Sequence, residues 1–222
     1  MTRSRVAGCA VLALGLAALL LGYASEPHAD RSLGLVLANQ REVDSGRFYR
    51  AGQLDADELR EAIATLGLRT IINLRGYDQS SDWYAAETAV ARAAGVAHHD
   101  VHLSARSLPR PREVARLLDL YRTAERPILV HCDSGADRAG EASALYAIEY
   151  MGQSPQQALE MLTLRYRHLA LARPAKREFI ARYRGEAWVR HDYDPCGPDW
   201  EGSERPEICA APLHSPAAPV GG

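Results

Sequence analysis

The order of apolar and polar residues along the chain predicts strands separated by amphipathic helices. Short apolar runs, some alternating with polar residues, occur at residues 47–53, 70–74, 96–103 and 128–131. Between these runs, apolar residues follow the three- and four-residue spacing of a helix face, as in Val114, Leu117, Leu118 and Tyr121. Strands that alternate with helices favour an α/β fold with a mostly parallel central sheet flanked by helices.

Capping residues mark where several of the helices begin and end. Asp55 and Glu58 predict a capping box at the start of the first helix, and Gly67 ends it. Pro155 and Pro174 stand where the first residue of two later helices is expected. Further helices are predicted at residues 82–94 and from about 139 to 151.

One stretch places the chemistry of a phosphate site between a strand and a helix. A buried strand ends at His131, and a loop of small residues separates Cys132 from Arg138. Residues 134–136 let the backbone curl so that several N–H groups face one concavity, towards which the positive end of the next helix points. Such a loop favours the thiolate, the nucleophilic form of cysteine. Arg138 supplies a planar fork that can hold two phosphate oxygens.

The motif His-Cys-x-x-Gly-x-x-Arg at residues 131–138 resembles the signature of the cysteine-dependent protein tyrosine and dual-specificity phosphatases. The resemblance implies a protein tyrosine phosphatase-like fold, attack by Cys132 on phosphorus, a cysteinyl-phosphate intermediate, and no metal or other cofactor. It also implies a phosphate-binding loop made of Asp133, Ser134, Gly135, Ala136, Asp137 and Arg138.

Two further segments resemble the atypical dual-specificity branch of this superfamily. They are Tyr-Arg-Ala-Gly-Gln at residues 49–53 and Asn-Leu-Arg at residues 73–75. The resemblance implies that Arg50 and Arg75 frame the mouth of the pocket. The alternative is that both arginines are merely solvated.

The sequence departs from the superfamily pattern directly after the signature arginine. Most relatives carry Ser or Thr there, and its hydroxyl stabilises the departing thiolate, whereas this chain has Ala139. Ser134 offers a hydroxyl nearby. The departure concerns turnover of the intermediate, not phosphate binding.

Two aspartates compete for the role of general acid. Asp100 has the spacing before the cysteine that many relatives show, but the alignment puts it inside a strand instead of on the following loop. Asp137 matches the Cys-x-x-Gly-x-Asp-Arg loop of myotubularin-like lipid phosphatases, in which that aspartate is the proposed acid. We favour Asp137, with a capping role for it as the alternative.

The two ends of the chain predict export and an additional tail. Arg3, Arg5 and the apolar run at residues 6–21 indicate a signal peptide over residues 1–24, or an N-terminal anchor, and hence a periplasmic or other extracytoplasmic location. Residues 25–46 are predicted to be a lead-in segment. The catalytic domain is expected at residues 47–185, and a Pro/Gly-rich tail at 186–222.

Cysteine usage and charge limit the remaining function classes. In an oxidising compartment, Cys196 and Cys209 are expected to pair and to leave Cys132 as the free thiol. The net charge of −2 gives no support to a nucleic-acid partner. His98, Asp100 and His102 fall on one strand face, but no paired His or Cys motif supports a metal site there.

These observations predict an exported phosphatase that hydrolyses phosphomonoesters. The expected partner is a phosphorylated protein or a small-molecule, inositol or lipid phosphate, and the membrane takes part only if the N-terminal segment stays attached. A catalytically weak phosphate-binding module is the first alternative, motivated by Ala139. A rhodanese-like sulfurtransferase is the second.

Overall fold

The computed structural model describes residues 38–210, in which five strands form one mixed sheet. Its order is β1-β2-β5-β3-β4; β1 runs antiparallel to β2, and the other neighbours are parallel. The α/β class and the mostly parallel sheet are therefore confirmed. The strands are β1 (Arg41–Asp44), β2 (Phe48–Ala51), β3 (Thr70–Asn73), β4 (Ala97–Asp100) and β5 (Ile128–His131).

Seven α-helices flank the sheet, and several begin where the capping residues predict. Asp55 accepts hydrogen bonds from the backbone of Asp57 and Glu58, and Glu58 closes the capping box. The helices are α1 (Ala56–Leu66), α2 (Asp82–Ala94), α3 (Pro111–Thr123), α4 (Asp137–Met151), α5 (Pro155–Ala158), α6 (Pro174–Arg182) and α7 (Glu186–His191).

The core lies on both faces of the sheet because alternate strand residues point in opposite directions. Phe48, Ile72 and Val130 belong to the larger apolar cluster, which includes side chains of α3, α4 and α6. Tyr49, Ile71 and Leu129 belong to the smaller one, with side chains of α1 and α2. Strand β5 is buried along its whole length, so the residue that follows it emerges at the centre of the sheet.

The edge strand β1 corrects the predicted lead-in segment. Its residues are polar and only partly buried, which is why no apolar alternation marks them. Backbone pairing with β2 holds them in place, with Arg41 opposite Arg50. Of the segment 25–46, the described part is thus a component of the sheet. The signal peptide and the rest of the lead-in lie outside the described residues.

The predicted tail is folded over the catalytic core as far as the structure describes it. Val189, Tyr193 and Trp200 are buried in the larger cluster, because this Pro/Gly-rich segment also carries large apolar side chains. A disulfide joins Cys196 to Cys209. No helix within residues 38–210 is long and apolar enough to cross a membrane.

A buried ion pair ties the helix behind the site to its neighbours. Glu141 on α4 and Lys176 on α6 are both inaccessible to solvent, with 3.0 Å between the Lys176 Nζ and a Glu141 carboxylate oxygen. Lys176 also donates to the backbone oxygen of Ser107, at 2.8 Å. Burial raises the pKa of Glu141 to about 6, against the opposing effect of the Lys176 charge. The pair therefore connects α4, α6 and the loop that follows β4.

Candidate active site

The signature loop begins where β5 ends, at the carboxyl edge of the parallel strands. Cys132 is 1% exposed and lies at the base of the loop, where its N–H donates to the Ala51 oxygen at 3.3 Å. Helix α4 begins at Asp137, two residues before the predicted start. In open α/β sheets this edge is where ligands bind.

The carbonyl groups of the loop are held from outside by neighbouring donors. The Asp133 oxygen accepts from the N–H of Gln53 at 2.9 Å. The Gly135 oxygen accepts from Arg50 at 2.7 Å and from the Asn39 amide at 3.0 Å. In a trans peptide the N–H of the next residue points away from the carbonyl. Fixing these oxygens outwards therefore turns the following N–H groups into the loop, where they suit an oxyanion.

Two glycines let the loop approach β2 closely. Gly135 adopts a φ of +68°, and a Cβ there would stand 2.6 Å from the Gly52 nitrogen. A Cβ on Gly52 would stand 2.8 Å from the Ala38 oxygen and 3.0 Å from the Asp133 oxygen. Only glycine fits at both positions without moving the backbone.

The prediction that Arg50 lies at the pocket rim is wrong. Its side chain is fully buried beneath the loop, where it donates to the backbone oxygens of Gly135, Ala136 and Met161 at 2.7, 3.1 and 2.8 Å. The guanidinium also lies 4.5 Å from the centre of the Tyr166 ring. Burial lowers the pKa of Arg50 to about 10, although the Cys132 thiol and Tyr166 act in the opposite direction. Position 50 falls on the inward face of a buried strand, so the side chain has no route to solvent.

Asn39 is a supporting residue that the sequence analysis missed. It is buried, has a φ of +56°, and its amide donates to Gly135 and to the Tyr166 oxygen, at 2.9 Å in the second case. A lone Asn in a polar segment carries no recognisable signal. The left-handed backbone that Asn tolerates is the only local hint.

Arg138 lies beside the loop and faces a cavity of about 370 Å³. Its Nε is buried and has no hydrogen-bond partner. A guanidinium with an unpaired buried donor next to inward-facing N–H groups fits a bidentate oxyanion ligand. This geometry agrees with the predicted role of Arg138 in binding phosphate.

A hydrogen-bonded cluster lies behind the cysteine and was not predicted. Glu87 on α2 accepts from His131 and His98, at 3.0 and 2.8 Å, and from Gln53 at 2.6 Å. Burial opposes ionisation of Glu87, but the two histidines and Gln53 outweigh it and lower its pKa. Glu87 lies on the apolar stripe of α2 with Val90. A charged residue at a buried helical position was the available signal.

Arg75 lies near the mouth of the site, as expected. Its guanidinium stacks 3.6 Å from the centre of the Trp83 ring and donates to the Gln53 side chain at 2.8 Å. It also lies 3.7 Å from the carboxylate of Asp133, which is largely exposed. Arg75 is therefore partly engaged by protein groups and 22% exposed.

The two candidate acids have different surroundings. One oxygen of Asp137 lies 2.8 Å from the His168 Nδ1, and the other lies 3.8 Å from the Arg173 Nε. Asp100, at the end of β4, accepts from Asn73 through one oxygen and from Tyr84 through the other, at 2.8 and 2.7 Å. Both Asp100 oxygens thus serve to join β3, β4 and α2.

The histidines of the third predicted strand do not come together as metal ligands. His98 binds Glu87, while the His102 Nδ1 lies 3.0 Å from the Arg75 oxygen. Strand β4 also ends at Asp100, so His102 belongs to the loop after it. Within residues 38–210, no group of three or more His, Cys, Asp or Glu side chains is placed to hold a metal ion.

A comparison with protein families identifies the group to which this loop belongs. Residues 35–178 match the family described as DSP-PTPase phosphatase fused to NAD+ kinase. The chain belongs to this phosphatase family. It is thus a member of the cysteine-dependent protein tyrosine and dual-specificity phosphatase superfamily, as the signature motif implied.

Relatives of this phosphatase-family chain agree in sequence and in fold. Human dual specificity protein phosphatase CDC14C is 27% identical over 100 residues, which cover 45% of this chain and 22% of that protein. The chain therefore spans about a fifth of the length of the curated relatives it matches.

Solved structures share the fold at low identity. The core catalytic domain of the PP-IP phosphatase SIW14 from S. cerevisiae superposes with a TM-score of 0.57 and 18% identity, covering 68% of this chain and 89% of that one. TpbA from P. aeruginosa gives a TM-score of 0.52 and 23% identity, covering 69% and 94%. These likenesses establish the phosphatase fold.

Replacing Arg50 tests whether the buried guanidinium holds the phosphatase loop. Arg50→Lys keeps the charge but loses the fork that reaches Met161 on one side and Gly135 on the other. We expect destabilisation by about 2 kcal/mol, since buried carbonyls lose their donors. We also expect orthophosphate to bind about tenfold more weakly, because the loop N–H groups lose their alignment. Urea unfolding and isothermal titration calorimetry measure the two effects.

Arg47→Lys is the matched control, because Arg47 adjoins the same strand but its side chain is 58% exposed. It should leave both quantities nearly unchanged. Equal stability and equal phosphate affinity in the two variants would show that Arg50 does not shape the loop.

Proposed function

We propose that this chain hydrolyses phosphate monoesters through a cysteinyl-phosphate intermediate. The observation that carries the proposal is the position of Cys132 at the base of a loop whose outward carbonyls turn its N–H groups inwards. Arg138 stands beside that loop with an unpaired buried Nε. Donors fixed before the reaction stabilise the charge that develops on the equatorial phosphoryl oxygens.

The proposed reaction has two steps. The Cys132 thiolate attacks phosphorus, the bond between phosphorus and the ester oxygen breaks, and the leaving oxygen takes a proton from an acid. Water then attacks the cysteinyl phosphate, the bond between sulfur and phosphorus breaks, and inorganic phosphate leaves. The deprotonated acid takes up the proton of the attacking water. Throughout, the loop N–H groups and Arg138 hold the three equatorial oxygens.

We retain Asp137 as the proposed acid. Its second oxygen is 3.8 Å from Arg173, beyond hydrogen-bond distance, so it remains available to a leaving group. Asp100 offers no such oxygen, because Asn73 and Tyr84 occupy both. Asp137 also directly precedes Arg138, which keeps the acid next to the bound phosphate.

The Cys132→Ser variant tests the nucleophile. A neutral alcohol with no adjacent base is a poor nucleophile at neutral pH, so we expect no measurable turnover of p-nitrophenyl phosphate. Orthophosphate affinity should survive because the loop N–H groups and Arg138 remain. Appreciable hydrolysis by Cys132→Ser would exclude the cysteinyl-phosphate mechanism.

The Asp137→Asn variant tests the acid through the leaving group. An alkoxide needs a proton, whereas an activated aryl oxide needs it much less, and a positioned acid contributes roughly 10²–10⁴-fold. We therefore expect kcat on glycerol phosphate to fall by about 100-fold or more, with p-nitrophenyl phosphate largely spared. The basic limb of the pH–rate profile should flatten.

Asp100→Asn is the comparison variant and should show neither effect. If the selective defect appears in Asp100→Asn instead, that residue is the acid. An equal loss on both substrates in Asp137→Asn would show that Asp137 acts as a structural cap.

A phosphate-binding module with weak turnover is the second candidate, and one observation favours it. Position 139 carries no hydroxyl, and the hydroxyl of Ser143 is directed to the Ala139 backbone oxygen, at 2.6 Å. Ser134 is exposed on the loop and is the nearest replacement in sequence. Slow hydrolysis with accumulation of the phosphorylated enzyme would favour this candidate over an efficient phosphatase.

The proposed location is outside the cytoplasm. The disulfide between Cys196 and Cys209 supports it, since such bonds persist in oxidising compartments. The apolar segment at residues 6–21 preceded by two arginines points the same way. The substrate is proposed to be a phosphorylated protein or a phosphorylated small molecule or lipid.

A further inference from the structure

The cavity that Arg138 faces carries more positive charge than one phosphate group requires. Besides Arg138, its lining includes Arg106, Arg110 and His102, with Glu207 opposite. Its volume of about 370 Å³ is in the range of small-molecule sites, about 300–1,000 Å³. The cavity therefore continues from the signature loop into a second cationic region.

The loop that contributes these arginines is held in a fixed position. Leu108 N donates to the Glu204 oxygen at 2.7 Å, and the Tyr193 hydroxyl donates to the Pro109 oxygen at 2.9 Å. From beneath, the buried Lys176 donates to the Ser107 oxygen at 2.8 Å. Contacts on both sides of residues 104–110 mean that Arg106 and Arg110 start from an ordered backbone, which reduces the entropic cost of binding.

The outer wall of the cavity comes from a segment beyond the family match, which ends at residue 178. We name residues 196–209 the C-terminal strap; the disulfide between Cys196 and Cys209 closes it. Pro206 and Glu207 of the strap line the cavity. The strap thus narrows the approach to Arg138 and favours a compact ligand over a broad protein surface.

The charges in the cavity balance in favour of an anion. Arg106 is 3.9 Å from Glu204, but its side chain is 67% exposed, so that carboxylate neutralises it only in part. Glu207 supplies a second carboxylate, against three guanidinium groups. One phosphate on Arg138 leaves Arg106 and Arg110 for another oxyanion. Guanidinium forks match phosphate oxygens in pairs.

We propose that Arg106 and Arg110 bind a second phosphate group of the substrate, while the first lies on the signature loop. The substrate is then a compact small molecule that carries two or more phosphate groups. This inference rests on the proposed phosphatase function and adds the class of molecule on which it acts.

Binding of two matched probes to the Cys132→Ser protein tests the second phosphate site without turnover. Fructose 1,6-bisphosphate and fructose 6-phosphate differ by one phosphate group, and calorimetry measures the Kd of each. We expect the bisphosphate to bind at least tenfold more tightly. Adding Arg106→Ala and Arg110→Ala together should reduce that ratio to about two or less.

Arg112→Ala is the control, because Arg112 lies on the same stretch and is 74% exposed but pairs with Glu113 and does not line the cavity. It should keep the full ratio. Equal affinity for the two probes, or a ratio that survives loss of Arg106 and Arg110, would overturn the proposal. Failure of the unmodified protein to hydrolyse p-nitrophenyl phosphate would instead contradict the phosphatase function, which the binding measurement does not require.

Discussion

The hydrogen bonds from the buried Arg50 guanidinium to the signature loop are the interaction on which the site depends. A buried charge is costly unless its donors are satisfied. Three backbone oxygens and the Tyr166 ring satisfy them here. Two of those oxygens belong to the loop, at Gly135 and Ala136. The cost of burying the charge is therefore offset only when the loop adopts the shape that turns its N–H groups inwards.

The surrounding structure supplies what that interaction needs. Gly52 and Gly135 allow the backbones of β2 and the loop to approach, and Asn39 adds a second donor on the outer side. Behind Cys132, Glu87 fixes His131 at the end of β5. On the other side, the Glu141–Lys176 pair connects α4 to the loop of residues 104–110. Phosphate binding thus uses a preformed cradle, in which donors need little reorganisation as charge develops.

Features that depend on neighbours in sequence were predictable, and those that depend on distant contacts were not. The capping box at Asp55 and the loop between Cys132 and Arg138 are local, and the structure has both. The burial of Arg50 depends on which face of β2 it occupies, because an arginine in a short strand reads as exposed. The roles of Asn39 and His168 depend on partners 96 and 31 residues away, for which one sequence carries no signal.

The most direct test of the account is to find where the phosphoryl group resides during turnover. Acid quenching of the protein mixed with excess p-nitrophenyl phosphate, followed by peptide mass spectrometry, traps a covalent intermediate if one forms. The account predicts a mass increase of one phosphoryl group on the peptide that contains Cys132, and none when Cys132 is replaced by serine. Hydrolysis that proceeds without any adduct, or with the adduct on another residue, would contradict it.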